Sequence, residues 1–169
     1  GYSEVCEANL KILQARLAEF TKQDFPVTRT AGSVRAGPST FPLQMTNWYG
    51  GRGGHVGFSP AMPADARLVQ QQFERTRRRF QEFGLDYSGT FYNDGRSVTN
   101  VNLIVYGRDD PDMTRRVHQL FMALVSDAKQ LGYGEYRTHL SYMDDVAASF
   151  DYNNHALRAL NERVKDALD

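Results

Sequence analysis

The chain has 169 residues, of which 41% are hydrophobic and 24% are charged, a composition typical of one globular domain with its own core. Lysine plus arginine equals aspartate plus glutamate at 20 each, so no net field draws the chain to nucleic acid or to an anionic membrane. The single cysteine, Cys6, excludes an internal disulfide, and no apolar run approaches the roughly 20 residues that span a bilayer.

The first predicted element is a helix from Ser3 to Phe20. Its apolar residues recur at spacings of three and four, which indicates one buried face; they are Leu10, Leu13, Leu17 and Phe20. Residues 24–54 are rich in glycine, proline, serine and threonine without a sustained period, so we expect a long surface connection. Because the chain lacks an initiator methionine and stops directly after a helical pattern, we expect it to be part of a longer polypeptide.

After residue 54 the sequence predicts alternating strands and helices, beginning with a short strand in HVGFSP. A helix then begins near Pro63 and Asp65 and ends at Gly84. Its inward-facing residues are expected to be Val69, Phe73, Phe80 and Phe83. The same helix carries a basic run with no aromatic platform of its own, so we expect a solvated face; the run is Arg75, Arg77, Arg78 and Arg79.

Two strand-like runs follow, at 85–93 and 97–107, and the Asp-Gly pair between them favours an antiparallel hairpin. A second long helix begins at Asp110-Pro111 and stops at Gly132, and EYRTHLS then predicts another strand. Two further helical segments, SYMDDVAASF and NNHALRALNERVKDAL, complete the chain; the second has Leu157, Leu160, Val164 and Leu168 on one side.

The order strand, helix, strand, strand, helix, strand is the split βαβ arrangement of ferredoxin-like domains. We therefore predict an α+β fold, in which a ferredoxin-like antiparallel sheet carries helices on one face. In this reading residues 1–54 form an N-terminal helix and loop, and residues 55–169 form the ferredoxin-like domain with its C-terminal helices.

Two stretches carry residues suited to chemistry. In GGRGGH, consecutive glycines let a backbone approach a bulky ligand but also form ordinary turns, and His55 stands where this loop meets the strand. In GYGEYRTHL, Arg137 can donate charge-assisted hydrogen bonds to an oxyanion, and the hydroxyl of Tyr136 can add one more. The alternatives are a structural histidine and a surface ion pair of Arg137 with Glu135 or Asp144.

Because Tyr136 and Arg137 are adjacent, a regular strand would point them to opposite faces. Both can reach one ligand only where the strand twists, bulges or ends. The four histidines include no closely spaced ligand pair, so we expect no metal site.

Together with FGLDYSGTF and NNHALRALNERVKDALD, these two stretches resemble the C-terminal part of the vanillyl-alcohol oxidase and 4-cresol dehydrogenase family, FAD-linked oxidases of para-substituted phenols. EYRTHL after GYG is the most specific motif. The resemblance implies the cap domain over the isoalloxazine ring, with the FAD-binding domain elsewhere in the same polypeptide. It implies FAD as the cofactor, attached covalently through His55 or, as in other members, through Tyr49, with Gly54 close to the flavin.

The resemblance also implies roles in a reaction. Tyr136 and Arg137 match the pair that binds the phenol oxygen, and the expected pocket residues are Thr90, Val101 and Leu103. A cation and a hydroxyl at that oxygen favour the phenolate, which gives a hydride from its para benzylic carbon and becomes a quinone methide. In this family the electrons pass to oxygen or to a c-type cytochrome subunit, and members are often homodimers.

Two other functions stay open as alternatives. A non-catalytic ferredoxin-like ligand-binding module would use the glycine loop as a turn and Arg137 in a surface ion pair. A related FAD-linked oxidase would act on hydroxy acids or sugars, although the EYR motif suits a phenol oxygen better. We expect neither nucleic acid nor a membrane as a partner, and a cytoplasmic location unless a cytochrome acceptor places the protein in the periplasm.

Overall fold

The computed structural model describes residues 2–21 and 41–168. Helix α1, Tyr2–Thr21, confirms the predicted N-terminal helix and belongs to its own unit, residues 1–39. Of its predicted apolar face, Leu10 is half-buried and Leu13 is exposed, whereas Leu17 and Phe20 lie outside the described side chains. The part of the predicted connection from residue 24 to residue 40 lies outside the described residues.

That connection is not wholly irregular, because Phe41–Tyr49 forms a 3-10 helix. The second compact unit, Thr40–Asp169, includes this helix and so begins earlier than the boundary we expect at residue 54. The 3-10 helix packs against the strand that follows the glycine loop and against the second strand of the hairpin. None of the helices in the described ranges combines the length and the apolarity required to cross a bilayer.

The sheet is antiparallel throughout and consists of β1 Gly53–Phe58, β2 Pro60–Pro63, β3 Gly89–Asn93, β4 Ser97–Gly107 and β5 Gly134–Glu135. β1 and β2 pair with the same side of β4 and have the same register. Ser59, which belongs to neither strand, separates them. β3 pairs with the other side of β4, and β5 pairs with β2. This strand order is that of the split βαβ arrangement, so the ferredoxin-like prediction is confirmed.

The two long helices of this unit, α2 Ala66–Glu82 and α3 Pro111–Gln130, begin and end where the sequence predicts. The side chain of Asp65 accepts hydrogen bonds from the N–H groups of Arg67 and Leu68, which caps α2. Asp110 caps α3 in the same way. Both helices are followed by a glycine in the left-handed region, Gly84 and Gly132.

The core lies between these helices and one face of the sheet. Its most deeply buried side chains come from both layers and are at most 1% exposed; they include Phe58, Phe80, Ile104, Leu120 and Phe121. Even-numbered residues of β1, β2 and β4 face this core, because side chains alternate along a strand. We call the opposite face the open face; it carries the odd-numbered residues of β1 and β4 and the even-numbered residues of β3.

The strand predicted in EYRTHLS exists as β5, but only Glu135 of that stretch belongs to it, so the predicted extent of the strand is wrong. The chain turns instead into a 3-10 helix, Leu140–Tyr142. His139 caps this helix, since its Nδ1 accepts a hydrogen bond of 3.1 Å from the N–H of Ser141. The backbone bends at 136 and 137, directly after Glu135, so β5 ends before the chain reaches His139.

The basic run of α2 is only partly a solvated face. Arg79 donates from Nε and Nη2 to the carboxylate of Asp127 on α3, at 2.8 and 3.0 Å, and Asp127 is 6% exposed. These hydrogen bonds raise the pKa of Arg79 above its usual range. Arg77 and Arg78 are exposed as predicted, but Arg79 forms an ion pair that links the two helices.

The remaining helices are α4 Met143–Ser149 and α5 Tyr152–Leu168, which confirms both helical predictions. At the start of α5, three consecutive residues have left-handed backbone angles: Asn153, Asn154 and His155. The predicted apolar side of α5 is between 50 and 81% exposed.

Candidate functional site

Most of the residues singled out from the sequence lie on the open face. His55 of β1 pairs with Val105 of β4, two residues beyond Leu103, and Thr90 of β3 pairs with Val101. Directly paired residues point to the same side of a sheet. The structure therefore brings His55, Leu103, Val101 and Thr90 together on one surface.

At the level of Ser59, cross-strand neighbours form a row of residues that runs across the open face from strand to strand. The register continues from Phe58 opposite Asn102, which places Ser59 opposite Val101. The N–H of Tyr136 donates to the carbonyl of Ser59 at 2.9 Å, which extends the row to the other sheet edge. Because His55 lies four residues along the strand from Ser59, about 13 Å separates it from this row.

Tyr136 and Arg137 lie together just past the end of β5. The guanidinium carbon of Arg137 is 5.4 Å from the ring centroid of Tyr136, and the Tyr136 side chain is 64% exposed. The strand ends at Glu135, which is one of the conditions under which adjacent side chains can reach one ligand. Among the described residues the ion pairs do not include Arg137, and Glu135 is buried, so the surface ion pair with Glu135 is not formed.

A groove of about 400 Å³ opens beside His55, a volume within the range of small-molecule pockets. Its lining is largely apolar and consists of Met45, Trp48, Tyr49, Asp86, Tyr87, Ser88 and Val105. Val105 is the cross-strand partner of His55, so the histidine stands next to one of the residues that line the groove. The 3-10 helix Phe41–Tyr49 forms one wall, which the sequence did not predict.

Tyr49 is half-buried in this wall, whereas His55 is exposed. Burial raises the pKa of Tyr49, and the nearby carboxylate of Asp86 raises it further, while Arg116 opposes both. Of the two alternative flavin-attachment residues, Tyr49 lines the groove, whereas His55 is the cross-strand neighbour of one lining residue, Val105.

The glycines before His55 are needed by the chain's own packing. A methyl group on Gly54 would lie 2.9 Å from Cζ of Tyr106, on the core side of the sheet, and one on Gly53 would overlap the carbonyl of Thr46. Gly50 and Gly51 have φ angles of 68° and 79°, which a turn supplies most readily with glycine. The position that a side chain on Gly54 would take therefore lies on the opposite face of the sheet from His55, and Tyr106 occupies it.

Below Val101, on the core side, a buried polar network fixes β4. Asn102 donates from Nδ2 to Oδ1 of Asn100 at 3.0 Å and to the carbonyl of Phe58 at 3.1 Å. Gln72 of α2 donates to Oδ1 of Asn100 at 3.4 Å. Both asparagines are fully buried, so the network holds the strand that carries Val101 in register with β1 and with α2.

Sequence reasoning assigned no site role to Glu135, which is 6% exposed. Its Oε1 and Oε2 accept from the N–H of Ser59 at 2.7 and 2.8 Å. Burial raises the pKa of Glu135 to about 8, against the opposing effect of hydrogen bonds from the N–H groups of Ser59 and Arg137. The available signal was its alternation with Tyr136, which directs Glu135 towards the core.

No group of three or more histidine, cysteine or acidic side chains in the described part of the chain is arranged to hold a metal ion.

No protein-family model matches the chain. It is 30% identical over 132 residues to the 4-cresol dehydrogenase [hydroxylating] flavoprotein subunit of Pseudomonas putida, which covers 78% of this chain and 25% of that protein. Its fold resembles 4-ethylphenol oxidase from Gulosibacter chungangensis, solved as an isoeugenol complex, with a TM-score of 0.73 and 30% identity over 78% of this chain and 25% of that one.

A second solved structure, p-cresol methylhydroxylase with substrate bound, gives a TM-score of 0.77 at 26% identity and covers 96% of this chain and 33% of that one. The chain thus spans a quarter to a third of the length of these relatives. Sequence and fold together confirm that the chain is related to the vanillyl-alcohol oxidase and 4-cresol dehydrogenase family and matches the cap-domain region of those flavoproteins.

Proposed function

We propose that the chain is the cap region of an FAD-dependent oxidoreductase that oxidises para-alkylphenols. The observation that carries the proposal is the placement of Tyr136 and Arg137, side by side past the end of β5 and next to the row of Val101 and Thr90. The Arg137 guanidinium lies over the Tyr136 ring, and a guanidinium and a phenol hydroxyl are both groups that can donate to one oxyanion. Two of the relatives are named for 4-cresol and 4-ethylphenol, which are both para-alkylphenols.

In this proposal Tyr136 and Arg137 act on the phenol oxygen. A phenol has a pKa near 10, so it is almost fully protonated at neutral pH. The charge of Arg137 lowers the pKa of the bound phenol, and a hydrogen bond from the Tyr136 hydroxyl stabilises the phenolate further. A bound FAD would supply the hydride acceptor for the para benzylic carbon, and loss of that hydride would leave the substrate as a para-quinone methide. Water then adds to give a benzylic alcohol, or a proton leaves to give an alkene.

The residues around the groove fit a flavin. His55 is exposed and therefore accessible for a covalent bond, and Trp48 and Tyr49 offer aromatic surface to a planar ring. Tyr49 is half-buried in the wall of the groove, and burial raises its pKa, so the exposed His55 is the more accessible of the two residues. We therefore propose His55 as the attachment residue. Gly54 contributes by packing against Tyr106, which keeps the adjacent histidine at the sheet surface.

Between His55 and the Tyr136 row, the open face carries Gly57 and Leu103. No atom lies within 4 Å of the position that a side chain on Gly57 would occupy, so this stretch has room for a ligand. We propose that Leu103, Val101 and Thr90 line the substrate pocket there, with the phenol oxygen at Arg137 and the para carbon nearer His55.

Other parts of the reaction lie beyond this chain. Because it spans only a quarter to a third of its relatives, we propose that the FAD-binding domain belongs to the same, longer polypeptide. We propose no single electron acceptor, since one relative is named a dehydrogenase subunit and another an oxidase. A c-type cytochrome and oxygen both fit the proposal.

The phenolate role is tested with Arg137→Ala in the FAD-loaded protein that carries this chain. We expect the rate of flavin reduction by 4-ethylphenol to fall at least about 100-fold, as when one oxyanion donor is removed. The matched control is Arg77→Ala, an exposed arginine on α2, which should leave the rate unchanged. A normal rate in a folded Arg137→Ala protein would contradict the proposal.

Trypsin separates the two attachment residues, since cleavage after Arg52 leaves Tyr49 on one peptide and His55 on the next. The protein is denatured, freed of dissociable flavin, digested and analysed by mass spectrometry. We expect the flavin mass on the peptide that begins at Gly53. A flavin on the Tyr49 peptide would exclude His55, and phenol binding without any flavin would favour the non-catalytic binding module.

A further inference from the structure

β1 and β2 follow one another along β4, and Ser59 stands between them. The register is the same on both sides, with Phe58 opposite Asn102 and Ala61 opposite Thr99. Pro60 has no N–H to donate, and Ser59 is only 4% exposed. The backbone groups of Ser59 therefore need partners within the protein. They find them in the segment that follows α3.

The carboxyl group of Glu135 supplies the main partner. Both of its oxygens accept from the N–H of Ser59, at 2.7 and 2.8 Å, and the N–H of Arg137 donates to the same carboxyl group. The carbonyl of Ser59 in turn accepts from the N–H of Tyr136 at 2.9 Å. Glu135 and Ser59 thus bind the backbone of both residues that follow Glu135.

Little else in the sheet holds this segment. β5 has only two residues, Gly134 and Glu135, which pair with Ala61 and Pro60. The side chains of Tyr136 and Arg137 are exposed, so their positions follow from the backbone to which they are attached. Burying a carboxyl group at this point costs desolvation, which an apolar residue at a strand end would avoid.

We infer that Glu135 is a positioning residue, whose carboxyl group fixes the backbone of Tyr136 and Arg137 against Ser59 and so determines where their side chains stand on the open face. This inference rests on the proposed function, because the role of the pair at the phenol oxygen is itself proposed. Glu135 does not touch the substrate in this scheme.

The first test measures the clamp without any chemistry, by hydrogen exchange of single amides in the chain. In Glu135→Ala we expect exchange at Ser59 and Arg137 to accelerate at least about ten-fold, the effect of losing a hydrogen bond to a carboxyl group. Core amides such as that of Phe121 should keep their protection. The matched control is Glu74→Gln, an exposed glutamate on α2. Unchanged exchange at Ser59 and Arg137 would overturn the inference.

The second test measures kcat and KM with 4-ethylphenol in the FAD-loaded protein. We expect Glu135→Ala to lower kcat about 100-fold, since misplacement of a catalytic group by about 1 Å has such effects. Glu135→Gln keeps a neutral acceptor and should restore most of the rate. If Glu135→Ala shows faster exchange but an unchanged kcat, while Arg137→Ala is inactive, the positioning role of Glu135 is overturned and the proposed function stands. Full activity of Arg137→Ala would instead remove the proposed function, and the inference with it.

Discussion

Glu135 should make the stability of this fold decrease as the pH rises above 5. Burial raises its pKa to about 8 from 4.5, so between these values the unfolded chain has lost the proton that the folded chain retains. The folded state then binds more protons, and the free energy of unfolding falls with pH. The stability that protonated Glu135 contributes is fully present below pH 4.5 and is lost as the pH rises through 8.

The size of the effect follows from the shift, 8 minus 4.5, or 3.5 pKa units. At 1.36 kcal/mol per unit, the whole window amounts to about 5 kcal/mol, of which about half falls between pH 5 and pH 7. The carboxylates whose pKa is lowered titrate below this window and do not mask it; they are Asp65, Asp94, Asp112 and Asp151.

The assay is urea unfolding of the wild-type chain and of Glu135→Gln at pH 5, 6, 7 and 8. Subtracting the two free energies of unfolding cancels the contribution of every group that the two proteins share. We expect the stability of the wild type relative to Glu135→Gln to fall by about 2 to 3 kcal/mol from pH 5 to pH 7. The Glu74→Gln control should track the wild type at every pH. A difference that stays flat between pH 5 and pH 8 would refute the burial argument.

Two further predictions concern packing. Arg79→Met leaves the carboxylate of Asp127 buried without its partner, and we expect a loss of about 3 kcal/mol in urea unfolding. The double variant Arg79→Met, Asp127→Leu should recover most of that loss, and no recovery would argue against an unpaired charge as its cause. Gly53→Ala, which drives a methyl group into the carbonyl of Thr46, should cost about 1 to 3 kcal/mol by thermal unfolding. Gly57→Ala meets open space and serves as its control, so equal losses in the two variants would contradict the packing account.

The elements that could be predicted from the sequence are those with local signals at both ends. The side chains of Asp65 and Asp110 cap α2 and α3 from within three residues, and Gly84 and Gly132 follow the same helices with positive φ. Such signals act over one turn of chain, so they can be recognised without a partner. The end of β5 has no signal of this kind, and there the predicted strand ran several residues too far.

The candidate site divides in the same way. Residue type made Tyr136, Arg137 and His55 candidates but left a structural histidine and a surface ion pair open, and the proposed roles came from the resemblance of their two stretches to the family. The arrangement of the open face needed the sheet register, which pairs β1 with a strand some 50 residues later in the chain. The groove needed the 3-10 helix Phe41–Tyr49, which has no hydrophobic period that would reveal it.

The sequence by itself determined the order of helices and strands, and with it the split βαβ topology, since capping groups and side-chain alternation act between near neighbours. Only the tertiary structure decided that Glu135 is buried against Ser59, 76 residues away, and that Arg79 is paired with Asp127, 48 residues away. The state of a charged side chain depends on the water it loses and the partners it gains, and both are supplied by segments distant in the chain.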